Sequence, residues 1–118
     1  MKIVKVEVDY RVDGAFSCHP RWDTKFEFPL DRLDEQEVET IKEVDDLLEP
    51  IFRDCNAIDE DSWILTENSG LRTRSMSVGD HIIFTIEEQL SSGFIKKHDY
   101  IYRVEGCGFK LLRAVAHK

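Results

Sequence analysis

The stretch VKVEVDYRV at residues 4–12 decides the fold of this chain, because its apolar side chains alternate strictly with charged ones. Such a period of two predicts a β-strand with one face in a core and the other in water, and the buried face should run from Val4 to Val12. The alternation returns at residues 22–28 and ends at Pro29. The two runs predict antiparallel strands. Asp13-Gly14 supplies turn chemistry, but the irregular residues 16–20 indicate a connection longer than a two-residue hairpin.

The last third of the chain returns to strand patterns. Residues 78–80 (Val-Gly-Asp) have the composition of a turn, and residues 81–86 (HIIFTI) are rich in β-branched and aromatic side chains. Residues 100–104 predict a further strand. The glycines on either side of Cys107 permit a tight bend before residues 109–112, which should form the last strand.

Between these two groups of strands lies an acidic segment with helical periodicity. Its apolar residues at helical intervals are Val38, Ile41, Val44 and Leu48. Asp34 and Glu37 have the spacing of a capping box, so we predict a helix over residues 34–49. Pro50 should break that helix, because an interior proline removes a hydrogen bond and clashes with the preceding turn. A short second helix is expected around residues 51–55.

Length and composition agree with one domain. The chain has 118 residues, of which 42% are apolar and 34% charged, and this is enough to bury one core. We therefore predict an α+β fold, a single domain over residues 1–118 in which a largely antiparallel sheet carries one main acidic amphipathic helix on one face.

The compartment is expected to be a reducing cytoplasm. The first ten residues contain no apolar signal segment, and no window approaches the roughly 18 apolar residues that a membrane span requires. Neither export nor membrane binding is therefore expected. Cys18, Cys55 and Cys107 are odd in number and far apart, which suits reduced thiols better than a disulfide framework.

Acidic residues are concentrated in one part of the chain. The whole chain has a net charge of −8, but residues 31–61 hold thirteen acidic and three basic residues, a local charge of −10. Residues 1–70 sum to −11 and residues 71–118 to +3. Because the acidic part would repel phosphates, direct binding of duplex DNA is not expected, and a basic protein is the predicted partner.

The predicted acidic helix offers a candidate binding surface. It would carry one carboxylate about every 3 Å of its axis, close to the roughly 3.4 Å phosphate spacing of one DNA strand. Its last acidic residues would lie at the negative end of the helix dipole, where stability alone favours lysine. The predicted partner-binding residues are Glu35, Glu39, Glu43, Asp45, Asp46 and Glu49, of which Glu35, Glu39, Glu43 and Asp46 should form a row along one flank. The alternative is a solvated helix face with no partner.

The motifs of common catalytic and metal sites are missing. No close pair of cysteines or histidines has the spacing of a zinc site, and neither a phosphate loop nor a dinucleotide fingerprint is present. We predict no metal, no cofactor and no enzymatic activity. One catalytic alternative is a Cys107 nucleophile with His81, His98 or His117 as base, although Cys107 more simply packs as a small core side chain.

Several motifs of the C-terminal third resemble a known family. LRTRSMSVGD at residues 71–80 is followed by an apolar strand, by Tyr102-Arg103-Val104 and by Gly108-Phe109-Lys110. This ordered set, which spans about the last 48 residues, is similar to the pattern of YodL-like domains in small bacteriophage and plasmid proteins. The resemblance implies a mobile-element origin and a bacterial cytoplasm, but no reaction. Cys107 departs from the pattern at its glycine-rich bend.

Two functions compete on this sequence. The first is a non-enzymatic phage or mobile-element inhibitor, of the anti-CRISPR or anti-restriction kind, whose acidic helix occupies the nucleic-acid site of a basic host protein. The second is a ligand- or nucleic-acid-binding β module built on the SMSVGD turn and the GCGF bend. Its predicted ligand or anion contacts are Arg72, Arg74, Ser75, Ser77 and Asp80. The basic residues of this part, among them Lys96, Lys97 and Arg103, could bind an anion or RNA if they cluster, or pair with the acidic part in a homodimer.

Overall fold

The computed structural model of the protein describes residues 1–11, 24–56, 61–65 and 76–117. In these residues one five-stranded sheet has the order β2-β1-β3-β4-β5, and every pair of neighbouring strands is antiparallel. Its strands are β1 (Lys2–Tyr10), β2 (Thr24–Phe28), β3 (His81–Gln89), β4 (Ile95–Val104) and β5 (Phe109–Ala116). One α-helix, α1 (Asp45–Asp54), packs on one face of the sheet. The predicted α+β class is confirmed.

The first strand follows its alternating pattern, with one shift of phase. Val6, Val8 and Tyr10 are buried in the core, as predicted. A β-bulge between Ile3 and Lys5 changes the register with β3, so that Ile3 is fully buried while Val4 is only partly so. A bulge inserts one extra residue and reverses the side-chain alternation beyond it, which a strict period of two does not anticipate.

The prediction of a helix from residue 34 is wrong. The segment around residues 36–38 instead lies alongside the start of β1, where the Ile3 amide donates to the Gln36 carbonyl at 2.7 Å and the Val38 amide to the Met1 carbonyl at 2.9 Å. β2 pairs only with Val6–Tyr10, so this edge of β1 is open at its first residues. Backbone groups of an extended segment satisfy that edge better than a helix could.

The helix begins after Thr40. A 3-10 helix at Ile41–Val44 leads directly into α1, and the capping box joins Thr40 to Glu43 rather than Asp34 to Glu37. Pro50 lies inside α1 instead of ending it. Because Pro50 and Asp46 are both exposed, water can satisfy the Asp46 carbonyl that loses its intrahelical donor. No separate second helix forms, since residues 51–54 continue α1.

The core lies between α1 and the sheet. The helix buries Leu47, Leu48 and Ile51, and the sheet contributes alternating aliphatic and aromatic side chains. Phe84 of the central strand β3 packs edge to face on Tyr102 of β4, with ring centroids 5.7 Å apart. Phe28 of β2 contacts Trp63 of the 3-10 helix Trp63–Leu65 at 4.9 Å. Edge-to-face pairs add stability beyond the burial of their area.

The opposite face of the sheet is mostly polar, with Ile83 and Ile101 as apolar residues, and it contains the buried carboxyl group of Asp9. Asp9 lies opposite Lys25 of β2 and His81 of β3, and its residue surface is only 3% exposed. Burial and, after it, the neighbouring Glu7 together raise the pKa of Asp9 to about 8, against the opposing charges of Lys25 and Lys5. Asp9 is therefore largely protonated at neutral pH in the folded protein.

Candidate acidic interface

An open groove of about 620 Å³ lies between the extended segment at residues 35–39 and one end of the sheet. The groove lies where β1 begins, β3 ends and β4 begins, and Met1, Lys2, Val38, Gln89 and Ile95 form part of its wall. The acidic residues that line it are Glu35, Glu37, Glu39, Glu43 and Glu87. The structure thus brings together three of the six predicted partner-binding residues, and adds two glutamates that the helical pattern did not indicate.

Three of these carboxylates have no neutralising partner in the described part of the chain. Glu35, Glu37 and Glu39 are exposed, and none of them forms an ion pair there. Glu87 is paired with Lys97, with nitrogen and oxygen 3.4 Å apart. We call Glu35, Glu37 and Glu39 the glutamate cluster.

Glu43 has a structural task in the same groove. Its carboxylate accepts hydrogen bonds from the backbone N–H groups of Glu39 and Thr40, the latter at 3.2 Å. These bonds fix the entry to the helix and hold the extended segment against it. The predicted row of Glu35, Glu39, Glu43 and Asp46 on one helical flank is wrong, because Glu35 and Glu39 precede the helix.

The remaining predicted binding residues lie on α1 and do not line the groove. Asp45 and Asp46 occupy the first turn of α1, not its negative end as expected from a helix ending at residue 49. The helix dipole stabilises carboxylates in the first turn, so the presence of acidic residues at these two positions has a structural reason. Glu49 is an exposed residue in the middle of α1. Asp45 also lies near Tyr102 of β4, and burial together with the Asp45 carboxylate raises the pKa of the Tyr102 hydroxyl.

An apolar hairpin tip borders the groove. The turn between β3 and β4 exposes Leu90, Phe94 and Ile95, and Ile95 also lines the groove itself. The composition of Ser91-Ser92-Gly93 predicts a loop tip, but it indicates no role for the apolar residues beside it. The signal was present in the sequence as two consecutive large apolar residues directly after a Ser-Ser-Gly turn, where polar residues are the norm.

Part of the predicted ligand site is structural. Arg72, Arg74 and Ser75 lie outside the described residues. Asp80 is fully buried, and its carboxylate accepts the backbone N–H of Ser77 at 2.8 Å and of Arg11 at 2.9 Å. It thereby ties the turn before β3 to the end of β1. Gly79 of this turn has a φ of 97°, a conformation that glycine adopts without strain.

The basic residues of the C-terminal part are spread along the sheet. Lys96 and Lys97 lie at the groove end of β4, whereas Arg103 lies near its other end, roughly 20 Å away at about 3.3 Å per residue. Arg103 forms a two-pronged pair with Glu105, with contacts of 2.9 and 3.2 Å. Lys96 and Lys97 therefore do not share one cluster with Arg103, whose described basic neighbours are Lys110 and Arg113 of β5.

The catalytic alternative gains no assembled site from the described residues. Cys107 is exposed in the bend between β4 and β5, while His98 and His117 lie at the opposite end of that hairpin. Burial, with Arg113 and Arg103 nearby, lowers the pKa of His81 to about 4, which makes it a weak base. In the part of the chain that the structure describes, no three His, Cys, Asp or Glu side chains are grouped to hold a metal ion.

The two described cysteines should differ strongly in reactivity. Burial raises the pKa of the Cys55 thiol to about 12, and thiolate is the reactive form. We expect iodoacetamide at pH 8 to alkylate Cys107 at the rate of an exposed model thiol and to leave Cys55 unmodified until urea unfolds the protein. Peptide mass spectrometry distinguishes the two sites. A Cys107 that reacts much faster than the model thiol would instead support the catalytic alternative.

No family model, curated protein or solved structure matches this chain. The resemblance to YodL-like domains therefore stays a prediction. Within the described ranges, no helix combines the length and the apolar content needed to cross a bilayer.

Proposed function

We propose that the protein is a small, non-enzymatic interaction protein whose acidic groove binds a basic surface on a nucleic-acid-handling host protein. On this proposal it originates from a phage or another mobile element, acts in the bacterial cytoplasm, and inhibits its partner in the manner of anti-CRISPR or anti-restriction proteins. The observation that carries the proposal is the glutamate cluster, three exposed carboxylates without ion-pair partners in the described residues, gathered along one groove.

The spacing of the cluster is compatible with mimicry of a nucleic-acid backbone. Glu35, Glu37 and Glu39 are alternate residues, and the segment at Gln36–Val38 pairs with β1 in an extended conformation. Alternate residues of an extended chain lie roughly 6.6 Å apart, near two phosphate steps of about 3.4 Å along one DNA strand. An arginine-rich site that accepts phosphates could therefore accept these carboxylates by charge-assisted hydrogen bonds.

The cost of keeping these charges together also supports a use for them. Like charges at close range repel. Apart from Lys2 and the amino-terminal residue Met1, no positively charged residue of the described chain lines the groove. Asp45 and Asp46 gain from the helix dipole and Glu43 from its capping bonds, whereas no ion pair within the described residues compensates the glutamate cluster. A basic partner would relieve the repulsion and gain long-range attraction during encounter.

Affinity capture from bacterial lysate with a matched pair of variants tests the proposal. The first variant neutralises the glutamate cluster (Glu35→Gln, Glu37→Gln, Glu39→Gln), and the control removes the same charge elsewhere (Asp31→Asn, Asp46→Asn, Glu49→Gln). Wild type and control should retain a nucleic-acid-binding protein at about 0.05 M salt and lose it at about 0.5 M. The cluster variant should not retain it at either concentration.

The capture must also be competitive with the partner's own ligand. Excess nucleic acid should displace wild type from the captured protein, because both are proposed to occupy the same basic site. Equal capture by the cluster variant and wild type, or a complex that survives saturation with nucleic acid, would contradict the proposal.

A further inference from the structure

We infer that the hairpin tip formed by Leu90, Phe94 and Ile95 is the apolar anchor of the acidic interface, and that the partner's basic surface contains an apolar pocket beside its cationic groups. This inference rests on the proposed function and adds an apolar pocket to the basic surface of the partner. It assigns Phe94 as the side chain that enters the pocket.

The tip exposes an unusual amount of apolar surface. Phe94 is 75% exposed, Ile95 64% and Leu90 40%, and they are neighbours around one short turn. Exposed apolar residues that occur singly are normal, whereas adjacent ones often mark a binding site. A turn with no partner would be expected to carry polar residues here.

The turn holds Phe94 in a defined position. The Leu90 amide donates to the Phe94 carbonyl at 2.8 Å, and the Gly93 amide donates to the Leu90 carbonyl at 2.9 Å. Gly93 has a φ of 89°, which closes the turn in a conformation that other residues rarely adopt. An aromatic side chain on a backbone that is already ordered loses little entropy on binding, which is typical of interface hot spots.

The tip and the glutamate cluster face the same partner. Ile95 and Gln89 line the groove together with Glu35, Glu37 and Glu39, so the apolar and acidic surfaces are continuous. Lys96, which directly follows Ile95, is exposed, whereas Lys97 is paired with Glu87 at 3.4 Å. The three carboxylates of the glutamate cluster outnumber Lys96 beside the tip and would repel an anionic membrane, which favours a basic protein surface over a lipid surface.

Two designed peptides of equal charge separate the apolar and acidic contributions. Twelve-residue peptides of alternating arginine and leucine (RL) and of alternating arginine and serine (RS) are the probes, and fluorescence anisotropy gives their affinities. Wild type should bind RL about tenfold more tightly than RS. Phe94→Ala should reduce this ratio to about twofold or less without weakening RS binding, because it removes only the anchor.

Val78→Ala is the matched control, since Val78 is 60% exposed but lies in the turn before β3, away from the groove. It should keep the tenfold ratio. An RL/RS ratio near one in wild type, or a ratio that Phe94→Ala leaves intact, would overturn the inference. Binding of phosphatidylserine vesicles that depends on Phe94, without an RL preference, would overturn it in favour of a membrane.

The same titrations distinguish failure of the inference from failure of the proposed function. Neutralising the glutamate cluster should weaken both peptides equally and flatten their salt dependence, leaving the RL/RS ratio unchanged. If that variant binds RS as wild type does, the acidic interface fails whatever the tip does. If RS binding depends on the cluster but RL gains nothing, only the apolar anchor fails.

Discussion

Replacing Asp80 with alanine is expected to lower the free energy of unfolding by about 3 kcal/mol. The buried carboxylate accepts one hydrogen bond from the Ser77 amide and one from the Arg11 amide. Hydrogen bonds to a charged group contribute about 1.5 to 3 kcal/mol each, and their loss would leave two N–H groups without these acceptors. Equilibrium unfolding in urea, followed by circular dichroism, measures the difference.

A graded series tests the physical reason for that loss. Asp80→Asn keeps one acceptor oxygen and should cost less than Asp80→Ala. Asp46→Ala, which removes an exposed carboxylate from the first turn of α1, should change the stability by no more than about 1 kcal/mol. If Asp80→Ala were as stable as wild type, the carboxylate would not be the tie between the turn and β1.

Stability should fall as the pH rises from 6.5 to 8, and Asp9→Asn should abolish this fall. The pKa of Asp9 is about 8 in the folded protein, against 3.8 for an unperturbed aspartate, so the folded state binds a proton that the unfolded chain has released. Stability from such a group is complete below the lower pKa and is lost as the pH rises through the higher one. Each pH unit within the window costs about 1.4 kcal/mol.

The titration of His81 sets the lower limit of the pH range in which the Asp9 effect on stability can be measured. Its pKa is about 4 in the folded protein and 6.5 when unperturbed, so its contribution to stability rises with pH over that range and opposes the Asp9 effect. Above pH 6.5 most of the His81 contribution is complete and Asp9 dominates the slope, so wild type should lose about 1 to 2 kcal/mol by pH 8. Urea unfolding at several pH values in this window measures the slope.

Glu27→Gln provides the control for Asp9→Asn. Glu27 is an exposed carboxylate on β2, opposite Glu7 on the same polar face of the sheet. Its replacement should leave the downward slope intact. A wild-type stability that is flat or rises between pH 6.5 and 8 would show that Asp9 is ionised in the folded protein and paired with Lys25 across their 4.0 Å contact.

The strands could be predicted because the local sequence pattern of each strand reflects which of its faces is buried. Alternation in β1 and β2 and the β-branched run of β3 reflect one buried face and one exposed face, which is a property of neighbouring residues. The helix boundary could not be predicted in the same way. Val38 does face the core, as its helical spacing requires, but it does so from an extended segment whose hydrogen bonds go to β1. That choice depends on an edge left open by β2.

The sequence predicted the negative charge of the candidate site but not the groove that it lines. The density of carboxylates is visible in the sequence, and two of the residues that it indicated, Glu35 and Glu39, line the groove. The groove needs the end of β3 and the start of β4, which contribute Glu87 and Ile95 from far along the chain. No local pattern could bring these residues together, because the register between β1 and β3 determines their position.

The sheet order also determines how the protein can fold. Strands β3, β4 and β5 are successive antiparallel neighbours, so they can form by local hairpin closure, as can β1 with β2. The central pairing of β1 with β3 joins residues as distant as Lys2 and Glu87, and it closes a loop that contains the whole acidic segment. Loop closure of this kind slows folding. Since mutual repulsion of the acidic residues swells that loop, added salt should accelerate refolding at the step that completes the sheet.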